Sequence, residues 1–333
     1  MQSTEVQQCF FQHIKNNLPP HLSLVDEVAE LLNISNDSAY RRIRGEKPIS
    51  LEEIQKLCSH YKVSMDQFLQ LKTDNFIFSG ILNSNSQDAF ENYMTNLLQN
   101  FQFVNSFNRK HLYILMKDIP PFMYFHIQEL AAFKYFFWMK SILNHDSMKN
   151  VKFSTDDSRY EPFYSTGEKI VDLYNKIPVT EIWNIESINS TLRQVNFYVE
   201  SGAFKTINDA KLLYSKFEDL INHLEKQAEF GCKFNIGEKP VKGSASYNLF
   251  VNELILGDNT YLAELEDMRI SFLNHSVLYF VATRDARFND AIHSNLQNLM
   301  KKSTMISTIG EKERVAFFNL LREKIHERLV LLK

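Results

Sequence analysis

The sequence has 333 residues, a formal net charge of −3 at pH 7, 44% hydrophobic residues and 23% charged residues. This length exceeds the ~100–200 residues of a typical domain, and the composition is that of a folded protein and argues against extended disorder. The charge excludes a strong overall attraction to nucleic acid, so any such affinity must come from local basic clusters. The three cysteines form no C-x-x-C pair, which favours a reducing compartment over a disulfide framework or a structural zinc site.

The beginning of the chain and its apolar segments predict a cytoplasmic protein without a membrane segment. No basic stretch followed by an apolar run of the signal-peptide type is found, and charged side chains interrupt the most apolar window, 122–143. The sequence also lacks the motifs of phosphate-binding loops, dinucleotide-binding folds, zinc proteases and serine hydrolases. We therefore expect neither an enzyme nor a cofactor or metal site.

The first 70 residues carry the signals of five short helices. Apolar residues at helical spacing alternate with residues that cap or end helices. Ser35 is expected to cap the third helix, and Gly45 to end it in the left-handed conformation. Ser50 and Glu53 are expected to form a capping box for the fourth helix. The predicted helices cover residues 7–17, 24–33 and 36–44, a stretch beginning at 51, and 63–69.

The run VAELLNISNDSAYRRIRGEKPISLEEIQKLCSHYKVSMDQFL resembles the lambda-repressor-like (Xre-type) helix-turn-helix domains, and the resemblance covers about residues 22–70. Ala29 matches the small residue that lets two helices cross closely, Asn33 matches the turn, and Gly45 matches the exit from the recognition helix. The family often has a phosphate-contacting Gln where this chain has Val25. The resemblance implies a five-helix DNA-binding domain of a transcriptional regulator, with the third helix as the recognition helix.

The outer side of the third helix is predicted to be polar and cationic. In the major groove, Arg pairs bidentately with guanine and Asn with adenine, whereas contacts to phosphate orient a protein without reading sequence. The alternatives are packing of Tyr40 on the fourth helix, a solvated position for Arg42 and a helix-dipole role for Asp37. The predicted base-reading residues are Asn36, Asp37, Ser38 and Arg41. The predicted phosphate contacts are Tyr40, Arg42, Arg44 and Lys47.

The chain as a whole is predicted to be mainly α. A helix-turn-helix domain at 1–72 is followed by a linker at 73–85 and a larger domain at 86–333. This larger domain is expected to be helical over 86–230 and α+β over 246–333, with a short antiparallel sheet. Its predicted helices are 90–101, 122–143, 188–200, 207–230, 289–302 and 311–332. A short strand is predicted at 111–116. Residues 249–256, 261–266 and 269–283 are predicted to have β structure and to form an antiparallel meander, with a turn at 257–259.

These features predict a sequence-specific regulator that binds double-stranded DNA as a homodimer, because two small modules on half-sites one turn apart combine their limited surfaces. The size and aromatic content of the larger domain favour a small-molecule or peptide effector. A different interpretation is an antitoxin-like or peptide-responsive adaptor, in which the helix-turn-helix contacts protein. Exposure of the cluster from Arg41 to Lys47, with two copies paired two-fold symmetrically at groove spacing, favours the first interpretation. Burial of this cluster in the larger domain favours the second.

Overall fold

The structure is a computed structural model that describes residues 3–18, 22–61, 63, 65, 76–80, 89–254 and 257–332. The chain divides into two compact units, residues 1–77 and 78–333. The described part of the small unit is helical, whereas the large unit combines helices with one sheet.

Four helices build the described part of the small unit: α1 (Ser3–Asn17), α2 (Leu24–Leu32), α3 (Asn36–Ile43) and α4 (Leu51–Tyr61). Each helix has apolar residues at helical spacing, so one side of each can face a common core. The buried side chains of this core are Phe10, Phe11, Ile14, Val28, Ala29, Leu32, Ala39 and Leu57. The first four predicted helices are confirmed. The fifth, predicted over 63–69, lies mostly outside the described residues.

A mixed sheet forms the centre of the large unit, with eight strands in the described residues. Parallel pairing joins β2 to β3 and β3 to β4, and the other neighbouring pairs are antiparallel. The order across the sheet is β1-β7-β6-β5-β2-β3-β4-β8. The strands are β1 (Ser79–Gly80), β2 (Lys110–Leu115), β3 (Val179–Trp183), β4 (Tyr247–Val251), β5 (Thr260–Leu265), β6 (Met268–Asn274), β7 (Phe280–Thr283) and β8 (Thr304–Met305).

The predicted short antiparallel sheet describes only part of the observed sheet, which is longer and mixed, with two parallel pairings among the antiparallel ones. The strands β5, β6 and β7 do form an antiparallel meander, but β2 and β3 lie between β4 and β5, which were predicted to be neighbours. Strand β3 falls within the segment 86–230 that was predicted to be helical. All five of its residues are buried, so it lacks the alternation of apolar and polar residues that identifies a half-buried strand.

The helices of the large unit largely follow the sequence prediction. Those predicted over 188–200, 207–230, 289–302 and 311–332 are confirmed. Among the described residues, no helix is both long and apolar enough to cross a membrane. The helices are α5 (Ala89–Asn105), α6 (Gln128–Phe137), α7 (Glu161–Tyr174), α8 (Asn189–Glu200), α9 (Ile207–Phe230), α10 (Ala286–Lys301) and α11 (Glu311–Val330).

The single aromatic-rich helix predicted over 122–143 is divided in the structure. A 3₁₀-helix at Pro121–His126 comes first, then α6, and then a π-helical turn at Trp138–Ile142. Ile127 separates the first two with an extended backbone (φ −134°, ψ 121°). The aromatic side chains of this segment are nevertheless largely buried, as predicted.

The sheet separates two apolar clusters. Leu296 of α10 belongs to a small cluster with Leu115, Ile182 and Leu262 on one face. The main core lies on the other face, where Ile114 packs with residues from the other helices of the large unit. Ile114 and Leu115 belong to different clusters because successive side chains of a strand point to opposite faces.

Strand β1 lies inside the segment predicted to be a linker, 73–85. Ser79 pairs with Ala282 and Gly80 with Val281, both in β7. The prediction is therefore corrected, since the large unit begins with a strand at the edge of its sheet.

A fully buried salt bridge lies next to β3 in the main core. Neither Glu181 nor Lys233 has exposed side-chain surface, and Lys233 Nζ is 3.3 Å from Glu181 Oε1. Tyr247 and Trp183 donate hydrogen bonds to Glu181 Oε2 at 2.8 and 2.9 Å, and Tyr174 donates to Oε1. Burial lowers the pKa of Lys233, and the neighbouring Glu181 opposes this shift. The charge pair is thus enclosed and supplied with several donors.

Candidate DNA-binding surface

Local signals fix both ends of α3. Ser35 precedes it with an extended backbone (φ −70°, ψ 154°), and its Oγ accepts a hydrogen bond from the Ser38 amide at 3.3 Å. Gly45 follows with φ 75°, in the left-handed region that favours glycine. Asn33, with φ 55°, ends α2 and begins the turn. The predicted cap and the predicted left-handed glycine are both confirmed.

Helix α3 has one buried and one exposed side. Ala39 is fully buried, and Ser38 is half-buried. Tyr40 is 48% exposed, so its ring lies outside the core of the small unit. The predicted DNA-binding residues that are exposed are Asn36, Asp37, Tyr40, Arg41, Arg44 and, beyond the helix, Lys47.

Arg42 is the predicted phosphate contact that the structure places elsewhere. Its side chain is only 7% exposed, and Nη2 and Nε donate to the two carboxylate oxygens of Glu53 at 2.7 and 3.0 Å. Arg42 lies three residues after Ala39 and hence on the same inner side of α3. The prediction of a phosphate contact is therefore corrected, because this guanidinium joins α3 to α4.

Glu53 connects this salt bridge to the start of α4. Its carboxylate accepts a hydrogen bond from the Ser50 amide at 3.0 Å, and its own amide donates to Ser50 Oγ at 3.2 Å. The predicted capping box is confirmed. The hydrogen bond from Arg42 and the one from Ser50 together hold the pKa of Glu53 below its ordinary value, although partial burial opposes them.

Removing the Arg42 guanidinium is expected to loosen α3 without removing an exposed cation. The variant Arg42→Met should lose about 1.5–3 kcal/mol of local stability, because hydrogen bonds to a charged group are removed. The pKa of Glu53 is lowered in the folded state. The stabilisation is therefore complete above the ordinary glutamate pKa of about 4.3, and it is lost as the pH falls through the lowered pKa of the folded state. Hydrogen–deuterium exchange of α3 and α4 peptides in the full chain measures both effects.

The control is Arg42→Lys, which keeps the charge but not the two-pronged geometry and should give intermediate exchange. Equal exchange of wild type and Arg42→Met at neutral pH contradicts the assignment of Arg42 as the link between α3 and α4.

Two glutamines of α1 hold the exit from α3. Gln7 Nε2 donates to the carbonyls of Arg42 and Lys47 at 2.7 and 2.8 Å, and its Oε1 accepts from a loop amide. Gln8 donates to the Arg44 carbonyl at 2.6 Å. These contacts attach the loop that carries Lys47 to α1. The sequence pattern does not reveal this role, because the glutamines lie more than 30 positions before their partners.

Two exposed arginines, Arg41 in α3 and Arg44 directly after it, differ in their local contacts. The Arg44 guanidinium lies 5.5 Å from the centre of the Tyr40 ring, and its Nε is 3.3 Å from Glu46. Arg41 has no side-chain hydrogen bond or salt bridge to any described residue and is exposed. The guanidinium of Arg41 is therefore available to bind a group that is not among the described residues.

The first turn of α3 contacts α2. Asn36 Nδ2 donates to Asp26 Oδ1 at 2.8 Å, so this amide must leave Asp26 to bind a base through both of its polar atoms. Ser23 directly precedes α2 but makes no side-chain capping hydrogen bond. Asp37 stands in the first turn, where its carboxylate also suits the helix dipole.

Residues 20–96 match the family model of the BetR domain, a family of DNA-binding, helix-turn-helix-like domains. The match includes α2, α3 and α4 and continues through β1 into α5. This match indicates a DNA-binding role in regulation. No curated protein and no solved structure matches the chain.

Proposed function

We propose that the chain is a sequence-specific transcriptional regulator of the Xre type, which acts in the cytoplasm as a homodimer and inserts α3 into the major groove of double-stranded DNA. The observation that best supports this is the exposed Arg41, which pairs with no described residue although its helix is fixed on the inner side. The proposed role of the whole chain is binding and not catalysis.

The dimensions of α3 suit the groove. Its eight residues span about 12 Å, close to the major-groove width of about 12 Å. In the proposed complex Arg41 binds guanine bidentately, and Asn36, Asp37 and Ser38 meet neighbouring base edges. Arg44, Tyr40 and Lys47 lie toward the exit of the helix and contact phosphate, which sets the orientation.

The contacts that hold α3 and the loop after it in position also support the affinity for DNA. Arg42 fixes α3 to α4, and Gln7 fixes the following loop to α1. A surface that is ordered before binding loses less conformational entropy when DNA arrives. The same rigidity restricts which base edges Arg41 can reach.

Selection of binding sites from random duplexes, with the full-length protein, tests the proposal. We expect an inverted repeat with half-sites about 10 bp apart, or a multiple of that spacing, and two chains per duplex by mass measurement. A single unpaired half-site contradicts the dimer. Failure to enrich any sequence contradicts sequence-specific binding and favours the adaptor, in which the same exposed face contacts protein.

A further inference from the structure

The large unit has a narrow apolar cleft between α5 and the hairpin of β6 and β7. Its volume is about 80 Å³. Phe122 and Ile177 lie at its buried inner end, whereas Asn274 and Val277 are exposed at its rim. The cleft thus leads from solvent to the main core.

The lining restricts the chemistry of a ligand. None of the described residues along the cleft is charged, so a charged group inside would lose hydration without a partner. The polar lining includes two asparagines. Asn100 Nδ2 already donates to the Asn96 carbonyl at 2.7 Å. Asn274 is exposed at the rim, where its Nδ2 donates to the Ser276 carbonyl at 3.4 Å and its Oδ1 can accept from a hydroxyl or an amide N–H.

We propose that this cleft binds the unbranched aliphatic chain of a small, uncharged amphipathic molecule, with its polar head beside Asn274. The volume of about 80 Å³ is smaller than the ~150 Å³ of a cavity that accommodates benzene. The cleft therefore excludes a ring and encloses only the end of a slender chain, and the rest of the chain lies along the open rim up to Asn274. The binding itself does not depend on DNA. Only the role of the ligand as an effector rests on the proposed function.

The cleft adjoins the strand through which the chain enters the large unit. Phe280 of β7 lines the cleft, and the next residue, Val281, pairs with Gly80 of β1. A Cβ at position 80 would lie 2.8 Å from the Phe280 carbonyl oxygen, so the two strands approach closely at this glycine. An aliphatic chain against Phe280 stabilises the hairpin and, with it, β1. This couples the ligand to the segment that follows the helix-turn-helix unit in sequence.

Isothermal titration of the full-length protein with octan-1-ol tests the site. Val277→Trp fills the rim at a residue that is 47% exposed, and Val241→Trp, at a residue that is 71% exposed and outside the cleft, is the control. We expect saturable binding of one octanol per chain in wild type and Val241→Trp, and at least about tenfold weaker binding in Val277→Trp. Octanoate, which has the same chain length but a charged head, should also bind at least about tenfold more weakly than octanol.

Absence of saturable octanol binding, or equal binding by Val277→Trp and wild type, overturns the proposal. A change of oligomeric state in Val277→Trp with unchanged octanol binding also overturns it and identifies the cleft as a protein contact. Because the titration contains no DNA, its failure is distinct from failure of the proposed DNA binding. If the cleft is coupled to β1, octanol should also slow amide exchange in β1 and β7 of the wild type.

Discussion

Replacing both Arg41 and Arg44 with alanine is expected to abolish specific DNA binding while the small unit stays folded. Removing one bidentate arginine–guanine pair costs about 1–3 kcal/mol, and two half-sites double this cost for a dimer. The effect corresponds to a factor of roughly 30 to 20,000 in affinity. Neither side chain is buried, so the fold should not depend on them.

The single variants separate the two proposed roles. Arg41→Ala should remove the preference for the selected sequence and leave most of the nonspecific binding, because this arginine pairs with a base. Arg44→Ala should weaken binding to all sequences and reduce the salt dependence, by a slope of about 0.9 for each phosphate that is no longer neutralised. Titrations of selected and scrambled duplexes at several salt concentrations measure both quantities.

The matched control is Lys15→Ala, which removes one exposed cation of the same unit. Lys15 lies eight residues after Gln7 on α1, about 12 Å along the helix from the contact with the exit loop. The affinity of the Lys15→Ala variant for DNA and the salt dependence of its binding should equal those of the wild type. If Arg41→Ala retains both affinity and sequence preference, α3 does not read DNA through this residue.

Replacing Lys233 with methionine is expected to destabilise the large unit by about 3–5 kcal/mol, because it leaves the buried carboxylate of Glu181 without a cation. Neither side chain of the pair is exposed, so water cannot replace the missing partner. Both tryptophans of the chain, Trp138 and Trp183, belong to this unit. Urea unfolding followed by tryptophan fluorescence therefore reports on the large unit.

Two further variants distinguish loss of the charge pair from loss of side-chain volume. Lys239→Met changes an exposed lysine in the same segment between α9 and β4. This variant should change the free energy of unfolding very little. The double variant Glu181→Gln/Lys233→Met should be more stable than Lys233→Met alone, because it contains no uncompensated charge. A double variant that is less stable than the single one, or a destabilisation below about 1 kcal/mol for Lys233→Met, contradicts this account.

The sequence of the small unit predicts its helices well because their boundaries depend on local chemistry. Ser35, Gly45, Ser50 and Glu53 act within a few residues of their own positions. The same pattern predicts an exposed polar side for α3, since helical geometry sets the direction of each side chain. It does not predict the hydrogen bond from Asn36 to Asp26, because that contact depends on how α2 and α3 meet.

The candidate site illustrates the same distinction at single residues. Arg41 and Arg42 are neighbours in a basic run. Helical spacing places Arg42 on the same side of α3 as Ala39, but it does not show which side chain the guanidinium meets there. The position of α4 decides, because it brings Glu53 to Arg42 and leaves Arg41 without a described partner. Gln7 acquires its role in the same way, through a contact with the distant Lys47.

In the large unit, periodicity and turn residues are enough to predict most helices and the meander of β5 to β7. The parallel course of β2, β3 and β4 in the middle of one sheet depends instead on long-range pairing. A strand that is buried on both faces, such as Val179–Trp183, shows no alternation, and parallel pairing joins segments that are far apart in sequence. The contact between Glu181 and Tyr247 follows from that pairing, whereas the lining of the apolar cleft depends on how α5 packs against the hairpin of β6 and β7. Local sequence patterns contain no signal for either.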